Sequence, residues 1–186
     1  MTGSGAWRSQ PVTAYLEACS TGIARHGGEV TKYLGDGVMA YFDPAGIDDA
    51  LQSTVDMQLE LRNIRENAPS GGALSLLFSG FGLALGPVIE GSMGSSVKMD
   101  YTIIGEPVNT AARLEALTRS LDAPVLMTEE VAAAARRDWD IRFVGAYDID
   151  SDDPIRVHSL ATGATDMASM RSTIPTCFDA VTDSRS

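Results

Sequence analysis

The first third of the chain alternates between helical and strand-like spacing of its apolar residues. Over residues 12–23 the apolar side chains recur three and four positions apart, which predicts an amphipathic helix that ends at Gly27-Gly28. Two β-prone runs, residues 30–34 and 38–42, then flank Gly35-Asp36-Gly37, and Asp-Gly between such runs is a strong signal for a tight hairpin. We therefore expect a helix followed by strand, turn and strand.

A second helix, a long buried strand and a hairpin arm are predicted next. Apolar residues recur at every fourth position over residues 47–59, and a following cluster of Asn, Pro and Gly should end that helix. Residues 74–85 are largely apolar, and Gly80 and Gly82 among them suit a core strand that other backbone approaches closely. Residues 88–104 carry Gly and Ser between apolar stretches, a pattern that predicts a long hairpin arm.

The remaining elements predict a mixed α/β fold. Glu106 and Pro107 are favourable first-turn residues, and the helix that they start should run to about Arg119. Four further elements follow: a strand at residues 124–127, a Thr128-capped helix through Arg137, and strands at 141–146 and 155–160. Helices interrupt the strands repeatedly, which favours an α/β sandwich over an all-β barrel.

Composition sets the number of domains and excludes several kinds of protein. The chain has 186 residues, of which 44% are hydrophobic and 21% are charged, and these values are typical of one globular domain. We place that domain at residues 11–160, after a disordered or truncated start at 1–10 and before a polar, disordered tail at 161–186. The 25 acidic and 14 basic side chains give a net charge of −11, which argues against a general nucleic-acid binder.

Two further features of the sequence indicate a cytoplasmic protein. No apolar run approaches the length of a membrane span, and the first twenty residues lack the pattern of a signal peptide. The two cysteines, Cys19 and Cys177, lie far apart and show no metal-ligand spacing, so we interpret them as free thiols in a reducing compartment.

Two short segments carry residues that could do chemistry. Lys32 lies on the strand that enters the hairpin turn and Asp36 lies in the turn, although an Asp before Gly in a hairpin is usually only a turn former. Asn109 and Arg113 are four positions apart on the first turns of a predicted helix, so they project from one face, where they could simply meet solvent. Small residues around them would let a ligand approach, and an Arg near a helix N-terminus is a natural partner for an oxyanion.

Taken in order, these segments resemble the catalytic domain of class III nucleotidyl cyclases, the family of adenylate and guanylate cyclases. The resemblance rests on GGEVTKYLGDGVMAYF at residues 27–42, GLALGPVIEGSMGS at 82–95 and YTIIGEPVNTAARLEAL at 101–117. It covers about residues 11–160. It implies a ferredoxin-like, cyclase-type fold, an α+β sandwich in which helices flank a central, mostly antiparallel sheet.

The resemblance implies that Lys32 and Thr102 bind the base of the substrate. Adenine presents an acceptor at N1 and a donor amino group at C6, so a Lys donor and a Thr hydroxyl acceptor are complementary to it, whereas guanine inverts both groups. Unmatched polar groups in a buried pocket cost about 1–3 kcal/mol each, so two of them would discriminate strongly. The Lys/Thr pair resembles an adenylate-cyclase subgroup, and we expect ATP as the substrate.

The implied reaction converts ATP to cyclic AMP and pyrophosphate at sites that two subunits share. In the family, two aspartates of one subunit hold two divalent cations, Mg²⁺ or Mn²⁺, and Asp36 matches the second of these aspartates. Arg113 would stabilise the phosphorane and Asn109 would orient the ribose, both across the interface of a head-to-tail dimer. The partner would be a second copy of the chain or another cyclase domain, and the role would be intracellular signalling.

The chain departs from the family at the position of the first metal aspartate. In the family this residue lies on an opening strand well before the hairpin, whereas only 35 residues precede Asp36, and the first ten carry no carboxylate. We expect the chain alone to be inactive or very slow, because each loss of about 1.4 kcal/mol of barrier stabilisation costs tenfold in rate. Two interpretations stay open: a cyclase whose true start lies upstream, and an incomplete homologue that acts as a dimerisation or nucleotide-binding regulatory module.

Overall fold

The computed structural model describes residues 6–94, 99–148 and 153–161. Its helices are α1 (Ala6–Arg25), α2 (Ile47–Glu66), α3 (Glu106–Leu121) and α4 (Glu129–Ala134). Its strands are β1 (Glu29–Leu34), β2 (Gly37–Tyr41), β3 (Phe81–Leu83), β4 (Ile89–Gly94), β5 (Met99–Ile104), β6 (Val125–Thr128), β7 (Ile141–Tyr147) and β8 (Ile155–Leu160). Short 3₁₀ turns lie at Pro44–Gly46 and Ala73–Leu76.

The strands form one four-stranded sheet and two separate hairpins. In the sheet the order is β3-β6-β8-β7, with β3 parallel to β6 and the other neighbours antiparallel. The strand pairs β1–β2 and β4–β5 are antiparallel hairpins. The predicted α/β class and the mostly antiparallel central sheet are confirmed.

Strand β6 lies at the centre of the core because helices cover both of its faces. Val125 and Met127 pack in one cluster with Leu51 of α2, whereas Leu126 between them packs with Leu114 of α3. The two-residue period of a strand thus sends successive side chains to opposite layers. A third cluster joins α1 to α2 beneath the β1–β2 hairpin; it contains Cys19, Ile23 and Met57, packed against Val30, Val38, Ala40 and Phe42.

Two glycines let α3 lie directly against β3. A Cβ atom added at Gly82 would be 2.0 Å from the carbonyl oxygen of Ala111 and 2.6 Å from the amide nitrogen of Glu115. One added at Gly80 would be 2.1 Å from the hydroxyl of Thr118. The expected close approach of other backbone to this segment is confirmed, and it fixes the height of α3 over the sheet.

The long strand predicted over residues 74–85 is wrong in extent, because only three residues form β3. Side chains from two helices bind the segment before it. The guanidinium of Arg65 on α2 donates to the carbonyl of Leu77 at 2.8 Å and lies 4.2 Å from the ring centroid of Phe78. The hydroxyl groups of Tyr15 on α1 and Ser79 are 3.0 Å apart. These contacts satisfy polar groups that a longer strand would offer to a neighbouring strand.

Two helix predictions also differ from the structure at their ends. Helix α1 begins at Ala6, ahead of the predicted start, and includes Pro11, which has no N–H for the helical ladder. Helix α4 ends at Ala134, before the predicted end at Arg137, because the carboxylate of Asp48 accepts the backbone N–H groups of Arg136 and Arg137 at 3.0 and 3.1 Å.

The predicted cap of α4 is correct in position and wrong in chemistry. Thr128 is the N-cap residue, yet its hydroxyl is buried and makes no hydrogen bond within the described part of the chain. Thr128 is the last residue of the fully buried strand β6, so its side chain is positioned by burial in the core and not by capping of α4.

The remaining predictions concern a membrane span, the two cysteines and the C-terminal tail. None of the helices among the described residues has the length and apolarity needed to cross a membrane. Cys19 is a buried free thiol, as predicted, whereas Cys177 lies outside the described residues. The predicted tail, apart from Ala161, also lies outside them.

Candidate functional site

The β1–β2 turn places Asp36 at an exposed tip. Leu34 pairs with Gly37 across the hairpin, so Gly35 and Asp36 form a two-residue loop. Gly35 has a φ of +67°, the left-handed value that the first loop position of a type II′ turn needs and that glycine adopts without strain. The predicted hairpin is confirmed, although its loop is Gly-Asp and not the Asp-Gly pair that predicted it.

A β-bulge in β1 sets the direction of Lys32. The register shifts between Val30 and Lys32, which makes Thr31 the extra residue, and its hydroxyl donates to a β2 carbonyl at 3.1 Å. Val30 packs in the cluster beneath the hairpin, and the hydroxyl of Tyr33 lies 2.9 Å from that of Ser20 on α1. Adjacent strand residues point to opposite faces, so Lys32 faces away from α1. Without the bulge, regular alternation would place Lys32 on the same face as Val30, against α1.

Thr102 lies in the middle of β5, on the hairpin arm. It pairs with Gly91 of β4 and is half-buried. Its hydroxyl is 3.5 Å from the carbonyl oxygen of Ile103, which is at the upper limit of hydrogen-bond length. Strand β5 contacts strand β1, so the structure brings the strand that carries Thr102 beside the strand that carries Lys32.

Helix α3 carries the other two predicted residues on its first two turns. Glu106 and Pro107 begin the helix, as predicted, because proline is tolerated in the first turn and an acidic side chain suits the positive end of the helix dipole. Asn109 is exposed and Arg113 is half-buried. Since they are four residues apart, they share one face of α3.

The charge of Asp36 reaches helix α3. Burial raises the pKa of the Glu115 carboxyl, and the charge of Asp36 raises it further, while Arg119 opposes both effects. The hairpin tip therefore lies close enough to α3 for one carboxylate to influence the other. Sequence analysis did not identify Glu115, because an acid four residues before Arg119 is typical of a solvated helix face.

The described residues do not by themselves make a complete site for two divalent cations. Asp36 supplies one exposed carboxylate. Within residues 6–94, 99–148 and 153–161, no three His, Cys, Asp or Glu side chains are grouped so that they could hold a metal ion. The imidazole of His26, which could ligate a metal, is instead hydrogen-bonded to the carboxylate of Asp56 at 2.8 Å. The chemistry of hard cations requires several oxygen ligands, so Asp36 fits as one member of a larger set.

A cavity of about 460 Å³ opens elsewhere, between the start of α3, the start of α4 and the start of β8. Its walls include Glu106, Glu129, Glu130 and Arg156 and none of the five predicted site residues. Carboxylates outnumber the one arginine on this wall, and the arginine is already paired with Glu129. A triphosphate would be repelled there, so we do not assign this cavity to a nucleotide.

Comparisons with known proteins match the arrangement of these elements. The family model described as the adenylate and guanylate cyclase catalytic domain matches residues 16–170. An adenylate cyclase of Anabaena cylindrica is 36% identical to the chain over 120 residues, which are 63% of this chain and 24% of that protein.

Solved structures of cyclases also match the fold of this chain. A bacterial light-regulated adenylyl cyclase superimposes with a TM-score of 0.84 and 36% identity, over 91% of this chain and 50% of that one. The guanylyl cyclase Cya2, at 23% identity and a TM-score of 0.66, aligns over 82% of this chain and 79% of its own, and shows a likeness of fold alone. The chain thus spans about a quarter of the length of the Anabaena protein and half of the light-regulated one.

Proposed function

The chain belongs to the family of adenylate and guanylate cyclase catalytic domains, and we propose that it acts as an adenylate cyclase domain in intracellular signalling. The reaction is attack of the ribose 3′-hydroxyl on the α-phosphorus of ATP, which releases pyrophosphate and leaves cyclic AMP. Such an enzyme is a phosphorus–oxygen lyase. The runner-up is a catalytically incomplete homologue that binds nucleotide or dimerises as a regulatory module.

The proposal of ATP as substrate rests on Lys32 and Thr102. An ammonium group donates to N1 of adenine, and a threonine hydroxyl accepts from its amino group, whereas guanine offers a donor and an acceptor in the reverse places. The observation that carries the proposal is the bulge at Thr31, which turns Lys32 away from α1. A lysine kept for packing or solubility would not require a defect in the strand to reach that face.

Charge stabilisation is assigned to α3 and the hairpin tip. Arg113 stabilises the negative charge that grows on the phosphoryl oxygens, and Asn109 orients the ribose. Divalent cations, Mg²⁺ or Mn²⁺, when bound, lower the cost of that charge and favour ionisation of the attacking hydroxyl. Asp36 is one ligand of that set, and the described residues leave the set incomplete.

We infer a dimer partner from the division of these roles, and the exposed apolar side chains of the two hairpins support the inference. Large apolar side chains at Leu34, Ile89 and Met99 are 55%, 67% and 60% exposed. Large apolar side chains that remain exposed favour an interaction surface on these hairpins. We assign this surface to a head-to-tail dimer, with a second copy of the chain or with another cyclase domain.

Complementation tests the proposal without requiring the chain to be active alone. The partner is a cyclase domain of known activity in which the arginine that matches Arg113 is replaced by alanine, so that its homodimer is inactive. Mixing it with this chain should restore cyclic AMP formation, because Arg113 then completes a site that holds the partner's aspartates. Arg113→Ala in this chain should lower the restored activity by roughly 100-fold or more. Arg62→Ala, which breaks an exposed ion pair with Glu66, is the matched control and should leave it unchanged.

The outcomes separate the two candidate functions. Saturable ATP binding that Lys32→Ala weakens, with heterodimers present by mass and yet no cyclic AMP, would favour the regulatory module. Absence of nucleotide binding, of cyclic AMP formation and of heterodimers would rule out both functions.

A further inference from the structure

One carboxylate joins the two exposed hairpins of the molecule. Glu90 on β4 accepts a hydrogen bond from the hydroxyl of Tyr41 on β2 at 2.7 Å. It also accepts one from the hydroxyl of Tyr101 on β5. Hydrogen bonds to an ionised acceptor are shorter and stronger than neutral ones, so this arrangement is a charge-assisted clamp between the hairpins.

The perturbed acidities of the three groups agree with this geometry. The hydrogen bonds from Tyr101 and Tyr41 lower the pKa of the Glu90 carboxyl. The same bonds raise the pKa of both phenols, and Glu29, which pairs with Tyr41 across the β1–β2 hairpin, raises them further. Each shift has the sign expected when a carboxylate accepts from two phenols.

The clamp joins the hairpin that carries Thr102 to the hairpin that carries Lys32. Tyr101 immediately precedes Thr102 on β5, and Glu90 precedes Gly91, the cross-strand partner of Thr102. The Glu90 and Tyr101 side chains therefore point to the face opposite to that of Thr102, and the clamp acts on Thr102 through the position of its strand. On the other hairpin, Ala40 next to Tyr41 packs toward α1, so Tyr41 points to the opposite face, the one that also presents Lys32. The clamp therefore connects the strand pair that carries Thr102 to the face that carries Lys32.

Backbone hydrogen bonds do not hold the two hairpins together in the described part of the chain. The β1–β2 and β4–β5 pairs form separate sheets, although strands β1 and β5 lie close to each other. The distance between Lys32 and Thr102 consequently depends on contacts between side chains. The hydrogen bonds of Glu90 are contacts of this kind, because they connect one hairpin directly to the other.

We propose that Glu90, Tyr41 and Tyr101 are positioning residues that hold Thr102 and Lys32 at the spacing required to select adenine over guanine. The inference rests on the proposed function of the Lys32 and Thr102 pair. It adds three residues outside that pair, none of which needs to touch the nucleotide. Misplacing a donor or acceptor by about 1 Å is enough to weaken a hydrogen bond strongly, so loss of the clamp should reduce selectivity.

The first arm of the test detects the clamp itself and needs no nucleotide. Spectrophotometric titration of the five tyrosines should show that Glu90→Ala lowers the pKa of two of them, Tyr41 and Tyr101. Glu60→Ala, which removes the same charge from an exposed position on α2, is the control and should leave the titration unchanged. An unaltered titration curve for Glu90→Ala would show that the clamp does not form.

The second arm measures binding of 3′-deoxy-ATP and 3′-deoxy-GTP, which lack the attacking hydroxyl, by calorimetry. Glu90→Ala should weaken 3′-deoxy-ATP binding by roughly three- to tenfold, the range that one or two hydrogen bonds supply, and should leave 3′-deoxy-GTP binding unchanged. Glu90→Gln keeps an acceptor oxygen, so it should recover part of the loss, and Tyr101→Phe should give a smaller loss than Glu90→Ala. A merely structural role would weaken both nucleotides equally.

The outcomes distinguish failure of the inference from failure of the proposed function. If the unaltered chain prefers the ATP analogue and Glu90→Ala keeps that preference, the positioning role is refuted while the proposed function stands. If neither the unaltered chain nor its mixture with the cyclase partner binds either analogue, the proposed function fails, and the positioning role fails with it.

Discussion

Replacing Gly82 by alanine should separate helix α3 from strand β3. The new Cβ atom would lie 2.0 Å from the carbonyl oxygen of Ala111 and 2.6 Å from the amide nitrogen of Glu115. Real Cβ atoms essentially never approach a heavy atom closer than 3.0 Å, so the helix and the strand must move apart by about 1 Å. Both clashing atoms belong to the backbone, and neither can rotate away.

The magnitude follows from the rigidity of this contact. Overpacking of a well-packed core costs typically 1–3 kcal/mol, and we expect a value near the upper end, about 3 kcal/mol, because a whole helix must shift. For a domain of this size each kcal/mol corresponds to roughly 2–4 °C in Tm, so the expected loss is roughly 6–12 °C. Asn109 and Arg113 move with α3, and nucleotide binding should weaken as well.

Urea and thermal unfolding followed by circular dichroism provide the assay. Gly46→Ala is the matched control, because no atom lies within 4 Å of its added Cβ and its φ of −95° suits any residue. That control should change the free energy of unfolding by less than about 0.5 kcal/mol. If Gly82→Ala unfolds within about 0.5 kcal/mol of the unaltered chain, the direct packing of α3 on β3 would be refuted.

Three further predictions concern stability and reactivity. Hydrogen bonds from the indole of Trp139 and from two backbone N–H groups lower the pKa of Asp48, so its contribution to stability is present above its unfolded pKa and is lost as the pH falls through its folded value. Asp48→Asn should therefore flatten the pH dependence of the urea midpoint on acidification, and an unchanged slope would contradict this. Burial raises the pKa of the Cys19 thiol to about 11, so about 0.1% of it is thiolate at pH 8. In a Cys177→Ser variant, Cys19 should therefore resist a disulfide reagent at pH 8 until the chain unfolds. Reaction at the rate of a free thiol would disprove its burial. Arg65→Met should cost roughly 1–2 kcal/mol and increase hydrogen exchange over residues 77–80, since it removes a partly buried bond to a carbonyl, and unchanged exchange there would argue against that anchor.

The sequence predicts most elements of this fold because their signals are local. The helix over residues 47–66 follows from apolar spacing, the hairpin turn follows from glycines around Asp36, and the start of α3 follows from Glu106-Pro107. The family motifs are equally local, and they identify the candidate residues without coordinates. The same local signals overestimate β3, because a run of apolar residues does not show that Arg65 and Tyr15 bind the segment before Phe81.

The spatial relations of the site are decided only by the tertiary structure. The bulge that turns Lys32 away from α1 depends on which strand residues the cluster beneath the hairpin buries. The influence of Asp36 on Glu115 and the contact of Glu90 with Tyr41 join residues 79 and 49 positions apart. Such contacts form only when packing has brought distant elements together, so no periodicity along the chain can encode them. The sequence alone thus determines which groups this protein can use, and packing decides which of them meet.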